Sequence, residues 1–208
     1  MSIRGLNELN DTHLDVLKEL GNIGQGNAAS ALANMINSTV DITVPNVRLL
    51  DFGETVDFLG GPEQIALGML IGLSGDINGM MLCVLQKAFV NDMLRSVMGK
   101  EVAELTDLDE MDMSFIQEIG NILAGSYTNA IAALTGLKID ISVPNIAIDM
   151  VGAILSVPAI EFAKYSDKVL FIDDSFIIGD GGEVKSNMIL IPQPDSLEVL
   201  FSKLGVDI

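Results

Sequence analysis

The chain has 208 residues, with 11 Lys and Arg against 29 Asp and Glu, so its formal net charge is −18. Such an acidic protein repels phosphate backbones and anionic bilayers, which argues against nucleic acid and membrane as partners. Its single cysteine, Cys83, excludes an internal disulfide and a cysteine-rich zinc site. The first residues, MSIRGLNELNDTHL, contain no apolar core of signal-peptide length, so we expect a cytoplasmic protein.

The first predicted element is a long helix over residues 11–37, in which apolar side chains recur at helical spacing. Thr12 and Asp15 resemble a capping box with Asp in place of Glu, and they predict the start of this helix. Pro45 interrupts the β-branched residues that follow, because proline cannot donate a hydrogen bond within a sheet. The remaining elements predicted in this half are strands at 39–44, 47–52, 64–74 and 79–85, and a helix at 86–98.

An acidic stretch follows at residues 100–112, where the hydrophobic periodicity fades, and we interpret it as a connector or a helix entrance. A second long helix is predicted over residues 106–136, and Thr106 with Asp109 forms its capping-box pattern. Pro144 again interrupts the extended chain. The other predicted elements are strands at 137–143, 145–148, 168–171 and 186–191, and a helix at 195–204.

The two halves form an internal repeat, since residues 17–47 align with residues 116–146 without a gap, at an offset of 99. We therefore predict one domain, residues 1–208, made of a first half of about 1–104 and a second of about 105–208. The order helix, strands, helix occurs in both halves. It predicts an α+β fold with pseudo-twofold symmetry and a mostly antiparallel sheet. Identical pairs in the repeat include Glu19 with Glu118, Asn22 with Asn121, and Pro45 with Pro144.

Each long helix carries a polar stripe along one face. At about 100° per residue, Asp15, Glu19 and Asn22 lie within roughly 60° of one another. A carboxylate and an amide thus project one turn apart, which suits docking against another surface. Solvated side chains would produce the same pattern, but asparagine is a poor residue for a helix interior, and its retention in both copies favours a further role. The first stripe continues to Gly26, and the second consists of Ser114, Glu118, Asn121 and Gly125.

Several familiar chemistries are disfavoured. The sequence GQGNAA at residues 24–29 matches a dinucleotide-binding pattern, but no strand precedes it and the second copy lacks the first glycine. His13 has no cysteine close in sequence and no counterpart in the other half, which indicates a structural role. Cys83 lies in the apolar run MMLCVL and is expected to act as a small hydrophobic residue. We expect no metal and no cofactor belonging to this chain.

The spacing [D/S]-x3-E-x2-N-x22-P occurs twice, from Asp15 to Pro45 and from Ser114 to Pro144. It resembles the signature of the CheC/CheX/FliY family of bacterial chemotaxis phosphatases. Two complete motifs favour the CheC branch, because CheX carries one motif per chain and FliY carries an additional flagellar-switch domain.

The resemblance implies a phosphatase of the phosphorylated response regulator CheY, without a complete active site of its own. In such proteins, a surface helix enters the regulator's phosphorylation site, which already holds the phosphorylated Asp, a Lys and Mg²⁺. By this resemblance, Asn22 and Asn121 would orient the attacking water, and Glu19 and Glu118 would contact the regulator's Lys. Phosphoryl transfer depends on positioning and charge stabilisation, so an amide is chemically sufficient for the first role.

The other motif residues are expected to support the site, Asp15 and Ser114 at the helix entrance, and Pro45 and Pro144 in the loop beneath it. The family also binds the receptor deamidase CheD, and residues 147–155, AIDMVGAIL, resemble the region used for that contact. Asp149 is the candidate residue there. Because the duplication supplies a built-in pseudodimer, we expect a monomer.

Two other interpretations stay open at this point. A noncatalytic module would use the stripe to dock a regulator or CheD, and it would keep its function without the two asparagines. A small-ligand domain would require an enclosed pocket, so solvent exposure of Glu19 and Glu118 would count against it.

Overall fold

The computed structural model describes residues 6–43, 45–162, 166–179 and 181–206. Its helices are α1 (Asp11–Ile36), α2 (Phe52–Phe58), α3 (Lys87–Met98), α4 (Glu110–Thr135), α5 (Val151–Phe162) and α6 (Pro194–Lys203). Its strands are β1 (Val40–Ile42), β2 (Asn46–Asp51), β3 (Ile65–Gly75), β4 (Gly79–Leu85), β5 (Ile139–Ile141), β6 (Asn145–Met150), β7 (Lys168–Ile178) and β8 (Glu183–Pro192). Single 3₁₀ turns at Leu6–Glu8 and Leu105–Asp107 precede the two long helices.

The strands form one sheet, in which all the described pairings are antiparallel. The central strands are β4 and β8, flanked by β3 and β7. Helices interrupt the strands along the chain, but within the described ranges none of them connects two parallel neighbouring strands. The predicted α+β fold with a mostly antiparallel sheet is therefore confirmed.

The short strands of each half complete the sheet of the other half. β1 and β2 pair with β7, whereas β5 and β6 pair with β3. The exchange has the same register in both halves, since Ile42 faces Phe176 and its repeat counterpart Ile141 faces Leu73. The pseudo-twofold axis passes through the β4–β8 pair, next to Cys83 where it faces Met188. The duplicated sequence thus forms one continuous sheet.

Helices cover the two faces of this sheet unequally. On one face lie α1, α3, α4 and α6, and their apolar side chains form the larger core together with the inward residues of the strands. Phe89 of α3 and Phe201 of α6 are fully buried there. α2 and α5 cover the other face over a smaller cluster that includes Phe171 and Leu155. The long helices α1 and α4 pack side by side, and their outer surfaces face solvent.

Both predicted capping boxes are wrong by a few residues. Asn10 caps α1, because its Oδ1 accepts a hydrogen bond from the His13 backbone nitrogen at 3.0 Å and His13 Nδ1 accepts one from the Asn10 nitrogen at 3.1 Å. Asp109 caps α4, in a box with Asp112. Asn and Asp are strong capping residues, and the Asn10 backbone has the extended conformation that a cap requires. His13 therefore helps to begin a helix.

The two helices on the smaller face, α2 and α5, were not predicted. Asp51 begins α2, where its Oδ1 accepts a hydrogen bond from the Glu54 nitrogen at 2.7 Å, in a capping box. α5 reads VGAILSVPAIEF, and it has almost no polar periodicity to reveal a helix. The strands β7 and β8 also extend beyond the predicted segments. No helix in the described ranges is long and apolar enough to cross a membrane.

Candidate functional site

The first polar stripe lies on the exposed side of α1. Asp15, Glu19 and Asn22 all face solvent, while Leu17 and Leu20 on the opposite side are buried in the core. Asp15 Oδ1 lies 3.0 Å from Lys18 Nζ. Both side chains of this ion pair are more than half exposed, so it contributes little to stability. The packing of the helix thus fixes which face the carboxylate and the amide present.

The second stripe has the same placement on α4. Ser114 and Glu118 are exposed, and Asn121 is partly exposed. Asn121 Nδ2 donates a hydrogen bond to Glu118 Oε2 at 3.4 Å, so the two side chains lie together at the surface. The sequence pattern predicts a carboxylate and an amide one turn apart, and both helices have this arrangement.

Each asparagine follows a glycine on which the strand segment below packs closely. A Cβ placed on Gly120 would lie 2.6 Å from Met69 Sδ and 3.6 Å from Pro144 Cγ. A Cβ placed on Gly21 would lie 3.0 Å from Val47 Cγ2 and 4.0 Å from Pro45 Cγ. Both prolines are buried. The motif prolines therefore lie beneath the helical turn that carries each asparagine.

The glycines that end the stripes have a different environment. A Cβ on Gly26 or Gly125 would meet no atom of the described residues within 4 Å. A glycine inside a helix costs about 0.5–1 kcal/mol relative to alanine, and no neighbouring group requires one at either position. These two glycines leave helical backbone accessible beside the asparagines, as close approach by a second protein requires.

A shallow groove of about 450 Å³ runs beside the second stripe. Ser114, Gln117 and Pro144 contribute to its lining, and Gln117 Nε2 donates to the Pro144 carbonyl oxygen at 3.4 Å. Met111 and Val143, each 70% exposed, lie close in sequence to lining residues. Sequence reasoning missed these apolar side chains, although a methionine in an otherwise acidic first helical turn is a usable signal.

The structure does not bring Asp149 together with the stripes. Asp149 lies on β6, where it is exposed and lines a cavity of about 280 Å³ on the α5 side of the sheet. Its Oδ1 accepts a hydrogen bond from the Met150 nitrogen at 2.7 Å. The motif helices cover the opposite side. The two candidate surfaces are therefore separate.

The stripe residues supply carboxylate and amide groups only. An amide can hold and orient a water molecule, and a carboxylate can accept hydrogen bonds from an ammonium group. In the part of the chain that the structure describes, no three His, Cys, Asp or Glu side chains are grouped so that they could hold a metal ion.

Comparison with known proteins agrees with the twofold pattern. The model of the CheC-like family matches residues 13–48 and 111–148, which contain both stripes and both motif prolines. The chain is 36% identical over 205 residues to the CheY-P phosphatase CheC of Bacillus subtilis (strain 168), covering 97% of this chain and 98% of that protein. It is 30% identical over 142 residues to the flagellar motor switch phosphatase FliY of the same organism, covering 68% of this chain and 37% of FliY.

Solved structures show the same fold. The crystal structure of Thermotoga maritima FliY superposes with a TM-score of 0.75 at 23% identity, covering 95% of this chain and 98% of that one. A chain of the FliG–FliM complex from H. pylori superposes with a TM-score of 0.69 at 12% identity, covering 91% of this chain and all of that one. With a relative 36% identical over nearly its whole length, this chain belongs to the CheC-like family.

Proposed function

We propose that this chain is a chemotaxis phosphatase that hydrolyses the aspartyl phosphate of phosphorylated CheY. The observation that carries the proposal is the pair of exposed Glu–Asn stripes at equivalent positions of α1 and α4. The near full-length similarity to a protein named CheY-P phosphatase supports the same function.

In the proposed mechanism, one stripe at a time enters the phosphorylation site of the regulator. Asn22 or Asn121 holds the attacking water in line with the phosphorus–oxygen bond that breaks. Glu19 or Glu118 accepts a hydrogen bond from the regulator's active-site Lys. The regulator supplies the phosphorylated Asp and Mg²⁺, and this chain supplies the geometry, which is what phosphoryl transfer mainly requires.

The surroundings of the stripes support this mechanism. The accessible backbone at Gly26 and Gly125 permits a close approach, and the packed turns at Gly21 and Gly120 hold each asparagine in place. The exposure of Glu19 also counts against a small-ligand domain, which would enclose its polar groups.

The test is the decay of phosphorylated CheY with wild type, Asn22→Ala, Asn121→Ala and the double variant at equal concentrations. Loss of one well-placed transition-state contact should lower the rate at its own site on the order of 10- to 1,000-fold. Each single variant should therefore keep the rate of the other site, and only the double variant should lose the acceleration. Asn27→Ala is a matched control, because Asn27 is exposed on α1 but lies off the stripe.

Binding of the regulator is measured in parallel, with unphosphorylated CheY and each variant. Lost turnover with retained binding supports the catalytic role of the asparagines. A double variant as active as wild type would refute the Asn mechanism. A wild type that binds CheY but does not accelerate decay would leave a noncatalytic docking module.

A second binding function is favoured by the surface around Asp149. The cavity beside it is lined mainly by apolar groups, including Leu70 and Ile154. On α5, Val157 and Ile160 are 54% and 78% exposed, so apolar surface adjoins the carboxylate. We propose that this surface binds CheD.

The CheD proposal is tested by titration of CheD with Asp149→Asn and Ile160→Asp. Both should weaken binding at least tenfold, while Asp140→Asn, at an exposed carboxylate on β5, should bind like wild type. Unchanged affinity in both test variants would refute the assignment.

We also propose that the free chain is a monomer, which light scattering would report as a mass of 22.2 kDa.

A further inference from the structure

A buried polar cluster connects both motif helices to one strand. The Tyr127 hydroxyl of α4 donates a hydrogen bond to Asp174 Oδ2 on β7. Gln25 Nε2 of α1 donates to the carbonyl oxygen of Ser175, the next residue of β7, at 3.4 Å. Gln25, Tyr127 and Asp174 are between 0% and 5% exposed. Adjacent residues of one strand therefore hold α1 and α4.

The cluster has no polar equivalent at the position related by the pseudo-twofold axis. By the repeat offset of 99, the counterpart of Gln25 is Ala124 and the counterpart of Tyr127 is Ala28. Leu73 and Phe176 are counterparts, because they pair with the equivalent residues Ile141 and Ile42. Two residues earlier on each strand, the counterpart of Asp174 is therefore Ile71. Apolar packing thus suffices at the related position, whereas here a carboxyl group is buried at a cost. Filling the core does not require these polar groups.

Two buried oxygen atoms of the cluster, Gln25 Oε1 and Asp174 Oδ1, have no hydrogen-bond partner among the residues that the structure describes. Both are acceptors while Asp174 is ionised. A proton on Asp174 Oδ1 converts that atom into a donor, so the cluster then holds one unpaired acceptor and one donor in place of two unpaired acceptors. The chemistry of the cluster therefore favours a neutral Asp174.

The electrostatics agree with this assignment. Burial raises the pKa of Asp174 to about 7, and the neighbouring Asp173 also raises it, against the lowering effect of the Tyr127 hydrogen bond. Burial also raises the pKa of Tyr127 on α4 and of Cys83 on β4, so both of these groups are neutral near pH 7. Asp173 lies on the face of β7 opposite to α1 and α4, where its carboxylate accepts a hydrogen bond from Asn187 Nδ2 at 3.1 Å and lies 3.6 Å from Lys185 Nζ.

We propose that Gln25, Tyr127 and Asp174 are positioning residues that hold the two asparagine-bearing helices in a fixed arrangement. This inference rests on the proposed phosphatase function. Gln25 lies less than one turn after Asn22, and Tyr127 lies less than two turns after Asn121, so a shift at either anchor displaces an asparagine. Ionisation of Asp174 places an uncompensated charge in the cluster and loosens the anchors. Dephosphorylation then slows as the pH rises through neutrality.

The test compares wild type, Asp174→Asn and Asp173→Asn in the dephosphorylation of CheY between pH 6 and pH 8, each relative to the spontaneous decay. Wild type should lose up to about tenfold in kcat, which is the change in the protonated fraction of a group titrating at pH 7. In Asp174→Asn the amide Nδ2 replaces one carboxyl oxygen and donates at every pH, so the profile of this variant should be flat over this range. Asp173→Asn is the control that keeps Asp174: it should still lose activity with rising pH, but at a lower pH than wild type, because the charge removed raises the pKa of Asp174.

A second substitution examines the other anchor. Tyr127→Phe keeps the ring but removes the hydrogen bond, and it should lower kcat several-fold at pH 6 with little change in KM. Superimposable profiles for wild type and Asp174→Asn would refute the inference. If wild type showed no phosphatase activity, only the proposed function would fail. The anchoring would then be read from amide hydrogen exchange in α1 and α4. Amide protection in α1 and α4 that is lower at pH 8 than at pH 6 in wild type, but not in Asp174→Asn, would support the anchoring. Equal protection in the two proteins at both pH values would refute it.

Discussion

The ring of Tyr127 on α4 occupies the space that a side chain at Gly24 of α1 would need, since a Cβ placed on Gly24 would lie 2.5 Å from Tyr127 Cδ1. In the repeat, the counterpart of Gly24 is Leu123 and the counterpart of Tyr127 is Ala28. The repeat therefore assigns a small residue to α1 and a large residue to α4 at both related pairs of positions, and all four residues are buried. The larger side chain of Tyr127, compared with Leu123, is thus accommodated by the smaller Gly24, compared with Ala28.

This compensation predicts an energetic coupling between positions 24 and 127. Gly24→Leu alone should destabilise the fold by overpacking, by about 1–3 kcal/mol. Tyr127→Ala alone should cost about 3–5 kcal/mol through the cavity that it creates. Gly24→Leu/Tyr127→Ala should be more stable than Tyr127→Ala, because leucine fills part of that cavity, and urea unfolding of the four proteins measures this. Additive effects would contradict the packing described.

Two glycines of α4 should respond to alanine in opposite ways. Gly120→Ala should lower the free energy of unfolding by about 1–3 kcal/mol, because the new Cβ meets Met69 Sδ. Gly125→Ala should raise it by about 0.5–1 kcal/mol, because the helix gains a better residue in open space. If the regulator approaches this backbone closely, Gly125→Ala should nevertheless weaken CheY binding. Unchanged binding in this more stable variant would show that the glycine is not part of the interface.

The buried carboxyl of Asp174 should make stability depend on pH. Its pKa is about 7 in the folded protein, against about 3.9 in an unfolded chain. Between these values the folded state binds more protons than the unfolded state, so the free energy of unfolding falls as the pH rises and levels off above pH 7. The shift corresponds to at most about 4 kcal/mol.

The difference between wild type and Asp174→Asn isolates this group from other carboxyls. Urea unfolding of both proteins at intervals from pH 4 to pH 8 should show wild type losing stability relative to the variant. A constant difference over that range would mean that Asp174 does not titrate there.

Cys83 should be inert until the fold opens. It is the single cysteine of the chain, it is fully buried, and burial raises the pKa of its thiol. A thiol reagent should react on the order of 1,000-fold or more slowly with the native protein than with the protein in urea. Reaction at the rate of a free thiol without denaturant would show that β4 is accessible at the centre of the sheet.

The elements that sequence reasoning predicted well are those with a clear period. The long helices α1 and α4 show apolar residues at helical spacing, and the rotation of 100° per residue predicted that Glu19 and Asn22 share one face. α5 was not recognised because it is apolar on both its buried and its exposed side, as Leu155 and Ile160 show. The start of α2 did carry a signal, the Asp51–Glu54 capping box.

The candidate site could be predicted only where its residues are close in sequence. Glu118 and Asn121 are three residues apart, so helical geometry alone relates them. The Tyr127–Asp174 hydrogen bond spans 47 residues, and the Gln25–Ser175 bond spans 150. Their formation depends on the register of β7 under the helices, which no local pattern encodes. The catalytic roles of the asparagines stay predictions until the dephosphorylation assay is made.

The exchange of short strands between the halves has a consequence for how the two stripes behave. Without the other half, each repeat would leave a long strand with an unpaired edge, a surface prone to aggregation. The segment between α3 and α4 keeps the two repeats at a high effective concentration, as in a tethered dimer. The whole chain should therefore unfold as one cooperative unit. A substitution that destabilises either repeat should lower the active population of both sites together, however different their contacts with a regulator are.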